Sequence, residues 1–220
     1  LLVKHQIVTK RQVDRLMPQI EEHKPRQQIP GYKIKKLLGS GAMARVYLAK
    51  QLSLDRYVAI KVLPRKHTKN EKFVERFYAE GKAAAALNHP NIVGALDVGR
   101  SNDTHYFVME YVEGKTVYDE IVQNKRYNES EALEVVIQIA SALDHAHEAG
   151  FIHRDVKPKN IMIAREGVAK LADMGLVRAF SDREAAEAEK GKAYGTPYYI
   201  STEQIRGVKD VDFRADIYSL

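Results

Sequence analysis

The sequence predicts an α+β chain of two lobes, a five-stranded antiparallel sheet carrying one helix and then a mainly helical region. Three observations predict it. Residues 31–63 hold three strand-like runs, "YKIKKLLGSG", "ARVYLAKQ" and "RYVAIKVL", rich in β-branched and aromatic residues with period-two stretches. A helical pattern through "FVERFYAEGKAAAAL" follows, and after it two more strand-like runs, "NIVGALDVG" and "THYFVMEYV". Beyond residue 114 the longest periodic segment, "NESEALEVVIQIASALDHAHEAG", has the spacing of a helix.

Local signals set the limits of these elements. Thr68 and Glu71 have the T-x-x-E spacing of a capping box, which would open the first long helix, and "NHPN" would stop it. In the second helix Leu133, Val136, Ile137, Ala140 and Leu143 form the expected buried stripe, and Gly150 stands where a C-terminal cap belongs. The short runs "NIMIA" and "AKLAD" come next, then a long loop and a final helical "RADIYSL".

Composition places the chain among ordinary globular proteins, with 45% hydrophobic and 29% charged residues over 220 positions. No apolar run approaches the length of a membrane span and no leader-like segment opens the chain. The absence of cysteine rules out a disulfide scaffold and a Cys-ligated zinc site and fits a reducing compartment. The formal charge of +6 raises the question of nucleic acid, but residues 1–36 carry nine basic and three acidic residues, which leaves 26 of each sign elsewhere. The excess therefore belongs to an amino-terminal extension, read as a solvated basic tail or an acidic-surface dock, and no nucleic-acid partner is expected. Within the extension Val13, Leu16 and Ile20 would line a short helix, and "PRQQIP" reads as a linker. Three segments result: an extension and linker over 1–30, a first lobe and hinge over 31–113, and a second lobe over 114–220. The start at Leu1 and the helical run ending at Leu220 suggest a segment of a longer protein, its second lobe incomplete. Oligomeric state is not legible.

Chemistry is concentrated in a few motifs. "GSGAMARV", residues 39–46, lies between two predicted strands, where a glycine-rich hairpin lets backbone amides approach phosphate oxygens. The pattern is G-x-G-x-x-A and no helix follows it, which argues against a dinucleotide-binding turn. Lys61 sits in the apolar strand "VAIK", where a charge needs a partner or ligand unless it snorkels from the strand end. Nineteen positions later Glu80 interrupts an alanine-rich helix face. The strongest segment is "HRDVKPKN", residues 153–160, followed by "LADMG", residues 171–175. An aspartate to accept a hydroxyl proton, a lysine for a transferred phosphate, and an asparagine and second aspartate for magnesium are what phosphoryl transfer needs.

With "GSGAMARV", "VAIK", "HRDVKPKN", "DMG" and "GTPYYISTE" in that order, the chain resembles the eukaryotic-type protein kinases, most of all their bacterial serine/threonine members. The resemblance runs from about residue 34 to 220 and implies the bilobal kinase fold. It implies ATP with Mg2+, or Mn2+ in its place, as cofactors, protein substrates as partners, and transfer of the γ-phosphate to Ser/Thr hydroxyls. By motif position Asp155 resembles the catalytic base, Lys157 the phosphate-contacting lysine, Asn160 and Asp173 the metal ligands, and Lys61 with Glu80 the ion pair. Gly39, Ser40, Gly41 and Ala42 would cover the phosphates. Val46, Ala59 and Met162 would sandwich adenine, Met109 would be the gatekeeper, and Glu110 to Val112 would offer hinge hydrogen bonds. Lys157 and Thr196 resemble the serine/threonine class, with Thr196 near Asp155, and Asp216 resembles the aspartate that anchors the catalytic loop.

The methionine of "DMG" replaces the usual phenylalanine with a flexible filler of similar bulk, and "STE" loses the proline of the usual S-P-E. An active kinase is the leading expectation and a nucleotide-binding pseudokinase scaffold the rival, which retention of Lys61, Asp155, Asn160 and Asp173 disfavours. A cytoplasmic catalytic domain is expected, and a tether outside these residues is compatible with it. Between Gly175 and Tyr194 the only hydroxyl is Ser181, while Glu184, Glu187 and Glu189 occupy the loop. Either Glu187 or Glu189 would then approach Arg154 and order the loop without phosphorylation, or the acidic run is simply solvated.

Overall fold

In the computed structural model the described residues are 29–41, 44–68, 70–123, 126–173, 178–179, 191, 195–208 and 211–220. The extension's helix and the Glu184, Glu187 and Glu189 switch lie outside them. Five strands, β1 (Tyr32–Ser40), β2 (Arg45–Gln51), β3 (Arg56–Val62), β4 (Ala95–Ser101) and β5 (Thr104–Glu110), form one antiparallel sheet in the order β1-β2-β3-β5-β4. Two register shifts in β1, between Ile34 and Lys36 and between Leu37 and Gly39, bend the strand on its way to the glycine-rich turn. Residues Val58, Ile60, Val62 and Val108 of the two central strands are buried in one cluster with Ala49.

Helix α1 (Glu71–Ala86) crosses from β3 to β4. The expected Thr68 capping box does not open it. Thr68 ends a 3-10 turn over Arg65–His67 and donates its hydroxyl to the Arg65 carbonyl, while the helical ladder begins with Val74 N–H donating to Asn70 C=O. A local hydrogen bond of the threonine side chain has outcompeted the helix terminus. Strand β4 starts four residues later than "NIVGALDVG" suggests, because Asn91, Ile92 and Val93 bond the second lobe instead. Val93 N–H donates to Leu171 C=O at 2.9 Å and Leu171 N–H to Asn91 C=O at 2.8 Å.

The second lobe holds a small sheet that the sequence reading did not separate, with β6 (Gly114–Thr116), β8 (Ile161–Ala164) and β9 (Ala169–Leu171) in the order β6-β8-β9. Helix α2 (Val117–Val122) follows β6, capped by Thr116 and Asp119, and α3 (Glu129–Glu148) is capped by Asn128 and Glu131. Gly150, at φ +81°, ends α3 as expected. Strand β7 (Phe151–Ile152) pairs with β10 (Arg178–Ala179), and short helices α4 (Thr202–Ile205) and α5 (Arg214–Ser219) close the described chain.

The buried face of α3 is a correction. Ile139, Ala142, Leu143 and Ala146 are buried, whereas Leu133, Val136 and Ile137 are 51%, 38% and 65% exposed. Helix α3 carries two apolar stripes, and the one packed on β7 and β9 is the less conspicuous in sequence because small alanines supply half of it. Together with Leu63, Phe77, Ile92, Phe107 and Leu171, this face builds a core continuous between the lobes.

Candidate functional site

The site is assembled where the β3 strand, α1 and the loop after β7 meet. Lys61, in the apolar β3, is an intermediate-exposure residue flanked by buried Ile60 and Val62. Its ammonium donates to Glu80 of α1 and, at 2.8 Å, to Asp173 Oδ1. The lysine is therefore partnered and does not snorkel. Burial alone would push its pKa down, but the Asp173 and Glu80 carboxylates outweigh that and hold it above the ordinary lysine value. Burial raises Glu80 above the usual carboxylate range, opposed in part by Lys61. Asp173 ends below that range, since the nearby Lys61 charge and hydrogen bond outweigh its own burial.

Asp155 stands in the loop after β7 and makes a closed triangle. Thr196 donates to Asp155 Oδ1 at 2.7 Å, Lys157 donates to Asp155 Oδ2 at 2.5 Å, and Lys157 also donates to Thr196 Oγ1 at 2.8 Å. Asn160, 5% exposed, ends a 3-10 turn over Pro158–Asn160 and donates its amide to the Asp155 carbonyl at 2.9 Å. Ala172 N–H returns a bond to Asn160 C=O at 2.8 Å, which places Asp173 beside the same loop.

The loop is held from beneath. Asp216 is fully buried and accepts from His153 N–H at 2.8 Å and Arg154 N–H at 2.7 Å. His147 Nε2 bonds the same carboxylate at 2.8 Å, and Gln204 donates to the Arg154 carbonyl at 3.0 Å. Arg154 and Asp173 both have φ of +65°, sparsely populated for residues with a Cβ, and such strain persists only where the surroundings impose it. His147 and Gln204 escape sequence reading, because one histidine among the three of residues 145–153 and a glutamine in a short helix carry no pattern.

The positions that the resemblance assigns to the nucleotide are spread over β1, β2, β3, β5 and β8 and the segments beside them. Gly39 pairs with Val46 and Ser40 with Arg45 across the hairpin, and the Gly41 amide donates to Ala44 C=O at 2.9 Å, so that amide closes the turn. Ala42 lies outside the described residues. Ala59 and Met109 are cross-strand neighbours, Val46 faces Lys61 across β2 and β3, and Met162 pairs with Thr116. Val112 is buried. Glu110 donates its N–H to Gly94 C=O, while its carboxylate takes Lys170 at 3.0 Å, so this last residue of β5 also ties β5 to β9.

Residues 32–220 match the family described as the protein kinase domain. The chain is 41% identical over 189 residues to the serine/threonine-protein kinase PrkC of Bacillus subtilis, covering 86% of this chain and 29% of that protein. It is 41% identical over 193 residues to the serine/threonine-protein kinase PknB of Mycobacterium tuberculosis, covering 86% and 31%. The chain belongs to the protein kinase family. It spans under a third of the length of these two relatives. Of the kinase positions named from sequence, the structure brings Lys61, Glu80 and Asp173 into one contact chain and Asp155, Lys157, Asn160 and Thr196 into another.

Proposed function

We propose that the chain is the catalytic part of a serine/threonine protein kinase, which moves the γ-phosphoryl group of ATP to a Ser or Thr hydroxyl of another protein. The observation that carries this is the Asp155, Lys157 and Thr196 triangle beside Asn160. Asp155 Oδ2 accepts from Lys157 and, at 3.3 Å, from Asn160, whereas Oδ1 accepts only from Thr196 and retains a second lone pair for a substrate hydroxyl. Asp155 would orient that hydroxyl and take its proton as the oxygen attacks phosphorus. Lys157 would balance charge on the moving phosphoryl group. Thr196 fixes the carboxylate rotamer.

The donor set fits Mg2+, or Mn2+, held with nucleotide. Asn160 spends its amide nitrogen on Asp155 C=O, which leaves its oxygen as the metal-facing atom, and Asp173 supplies a carboxylate. No cluster of three His, Cys, Asp or Glu side chains suited to a metal occurs among the described residues. That suits an ion held by two protein groups, with phosphate oxygens and water completing the shell. Such an ion would neutralise developing phosphate charge. Lys61, kept charged by Glu80, would take a phosphate oxygen of the nucleotide, while Gly39, Ser40, Gly41 and Ala42 would lie over the phosphates. Adenine would sit among Val46, Ala59, Met109 and Met162, with hydrogen bonds from the Glu110 to Val112 backbone.

The extension over 1–30, first lobe over 31–113 and second lobe over 114–220 are the division proposed for this chain. A domain that consumes ATP fits the cytoplasm; among the described residues no helix is long and apolar enough to cross a membrane. In the full-length protein Asp155→Asn is expected to lower phosphate transfer to a generic protein substrate by about 10²–10⁴-fold, with ATP affinity kept. Lys61→Met is expected to lower both. Undiminished transfer by the Asp155 variant would remove the base assignment.

A further inference from the structure

Two leucines stand on the surface of the first lobe where the chain turns from β2 into β3. Leu52 and Leu54 are 59% and 62% exposed, and Tyr57, the next large apolar side chain, is 53% exposed. The polar side chains of this hairpin are spent on one another: Lys50 pairs with Asp55 at 2.5 Å, and Arg56 donates to Gln51 at 2.7 Å. A hairpin turn is ordinarily polar, and these leucines are not part of the core beneath them, which Ala49, Val58 and Ile60 build. The same corner is where the amino-terminal extension leaves the lobe. Ile29, 2% exposed, is buried in that core cluster, and the Gly31 carbonyl accepts from Leu52 N–H at 2.9 Å. The root of the extension is thus fixed beside the exposed leucines. Residues 1–28, which lie outside the described residues, contain the apolar positions Val13, Leu16 and Ile20, spaced i, i+3 and i+7. The nine residue steps from Ile20 to Ile29 reach at most about 30 Å, enough to bring that stripe back to the turn.

We propose that Val13, Leu16 and Ile20 of the extension fold back on Leu52, Leu54 and Tyr57 of the same chain, so that the extension is a strap across the β2–β3 turn. Size selects this occupant. Three partly exposed side chains fall far short of the roughly 1,000 Å² that a stable interface between separate chains buries. A tethered segment instead meets the patch at an effective concentration of about millimolar, and a small apolar contact then suffices. Asp14, Arg15 and Gln19, between the apolar positions, would stay in solvent, and the paired charges of Lys50, Asp55, Arg56 and Gln51 would rim the contact without being buried by it. The contact uses no group of the phosphoryl-transfer site, so it stands apart from the kinase reading and does not depend on it.

The test uses full-length protein. Residues 1–220 contain no cysteine, so a disulfide between Leu16→Cys and Leu54→Cys, identified by mass spectrometry of the digest, reports on that pair alone. Oxidation of a mixture of unlabelled and nitrogen-15-labelled protein is expected to give a linked peptide in which both halves carry the same isotope. Leu16→Cys with Ile137→Cys, at an equally exposed site on α3, should give about tenfold less. Trypsin supplies a second readout through the initial rates of cleavage after Arg15, inside the stripe, and after Arg26, in the connection. The double substitution Leu52→Asp and Leu54→Asp, and separately Ile20→Asp, should raise the Arg15 rate about fivefold or more and leave the Arg26 rate within about twofold. Ile20→Asp does not touch the hairpin, so its effect separates loss of the contact from damage to the lobe. A linked peptide of mixed isotopes would assign the patch to a second copy of the chain and overturn the proposal. Equal yields with Leu54→Cys and Ile137→Cys, or an Arg15 rate unmoved by both sets of substitutions, would mean that the extension is solvated and would overturn it as well.

Discussion

A buried carboxylate without partners would cost several kcal/mol or give up its charge, so the three bonds accepted by Asp216 define what it can do. Two of them come from successive backbone amides, which fixes the peptide planes that lead to Asp155. The third, from His147, links this fixed point to α3. His147→Ala should therefore destabilise the chain by about 1–3 kcal/mol, the range for leaving one buried hydrogen-bonding group unsatisfied. It should also lower kcat more than it raises the KM for ATP, because the residue acts through Asp216 on the loop that leads to Asp155. Chemical denaturation with steady-state kinetics measures both, and an unchanged kcat in a folded variant would show that the loop does not depend on α3. At this scale the motif residues that the structure brings together were legible because phosphoryl transfer demands particular residue types at fixed spacing. His147 and Gln204 were not, because any polar side chain of suitable length at those positions leaves the same trace in sequence.

Among the elements, β6 and β8 approach each other more closely than any side chain on Gly114 permits. A Cβ built there would lie 1.9 Å from the Ile163 carbonyl oxygen and 2.8 Å from its carbon, both rigid backbone atoms. Gly114→Ala must push β6 away from β8, shifting the Thr116 cap of α2 and the Tyr118 ring that follows it. A loss of about 1–3 kcal/mol is expected, the usual cost of forcing atoms into a packed site. A thermal melt checks it, and a variant as stable as wild type would mean that the strand can move without cost. This glycine reads in sequence as one more loop residue. The miscast face of α3 has a related cause: Leu133, Val136 and Ile137 announce a stripe by size, but Ala142 and Ala146 are what let the helix sit close to β7 and β9. The five strands were legible because alternation and β-branched residues agree over each run, and only their ends moved where a loop found partners in the other lobe.

On the scale of the whole molecule, the segment between α1 and β4 ties the two lobes together. Asn91 donates to Gln138 of α3 at 2.9 Å and to Ala169 C=O at 2.8 Å, and His89 lies against the same helix. The His89 Nδ1 accepts from the Asn91 amide at 3.1 Å, which requires that nitrogen to be unprotonated, and Nε2 meets Ser141 Oγ at 3.2 Å. Its ring stacks on His145, with centroids 5.3 Å apart, and Lys170 adds positive charge. Burial first, then His145 and Lys170, hold the His89 pKa below the ordinary histidine value. The folded chain therefore favours neutral His89 more than the unfolded chain does. Its contribution to stability is complete above the unfolded-state pKa of about 6.5 and is lost as the pH falls through that value toward the lower folded-state one. His105, whose pKa is likewise lowered by burial and Arg100, acts in the same direction from within the first lobe. Stability measured by denaturant at pH 7.5 and pH 5.5 should thus be lower at the acid value. His89→Gln, which keeps a polar side chain near Asn91 and Ser141 but cannot titrate, should shrink the difference, and His105→Gln should remove part of what remains. A pH difference untouched by His89→Gln would show that protonation at the lobe junction is not what the acid loss reports, and would assign it to His105 or to the Lys61 and Asp173 pair at lower pH.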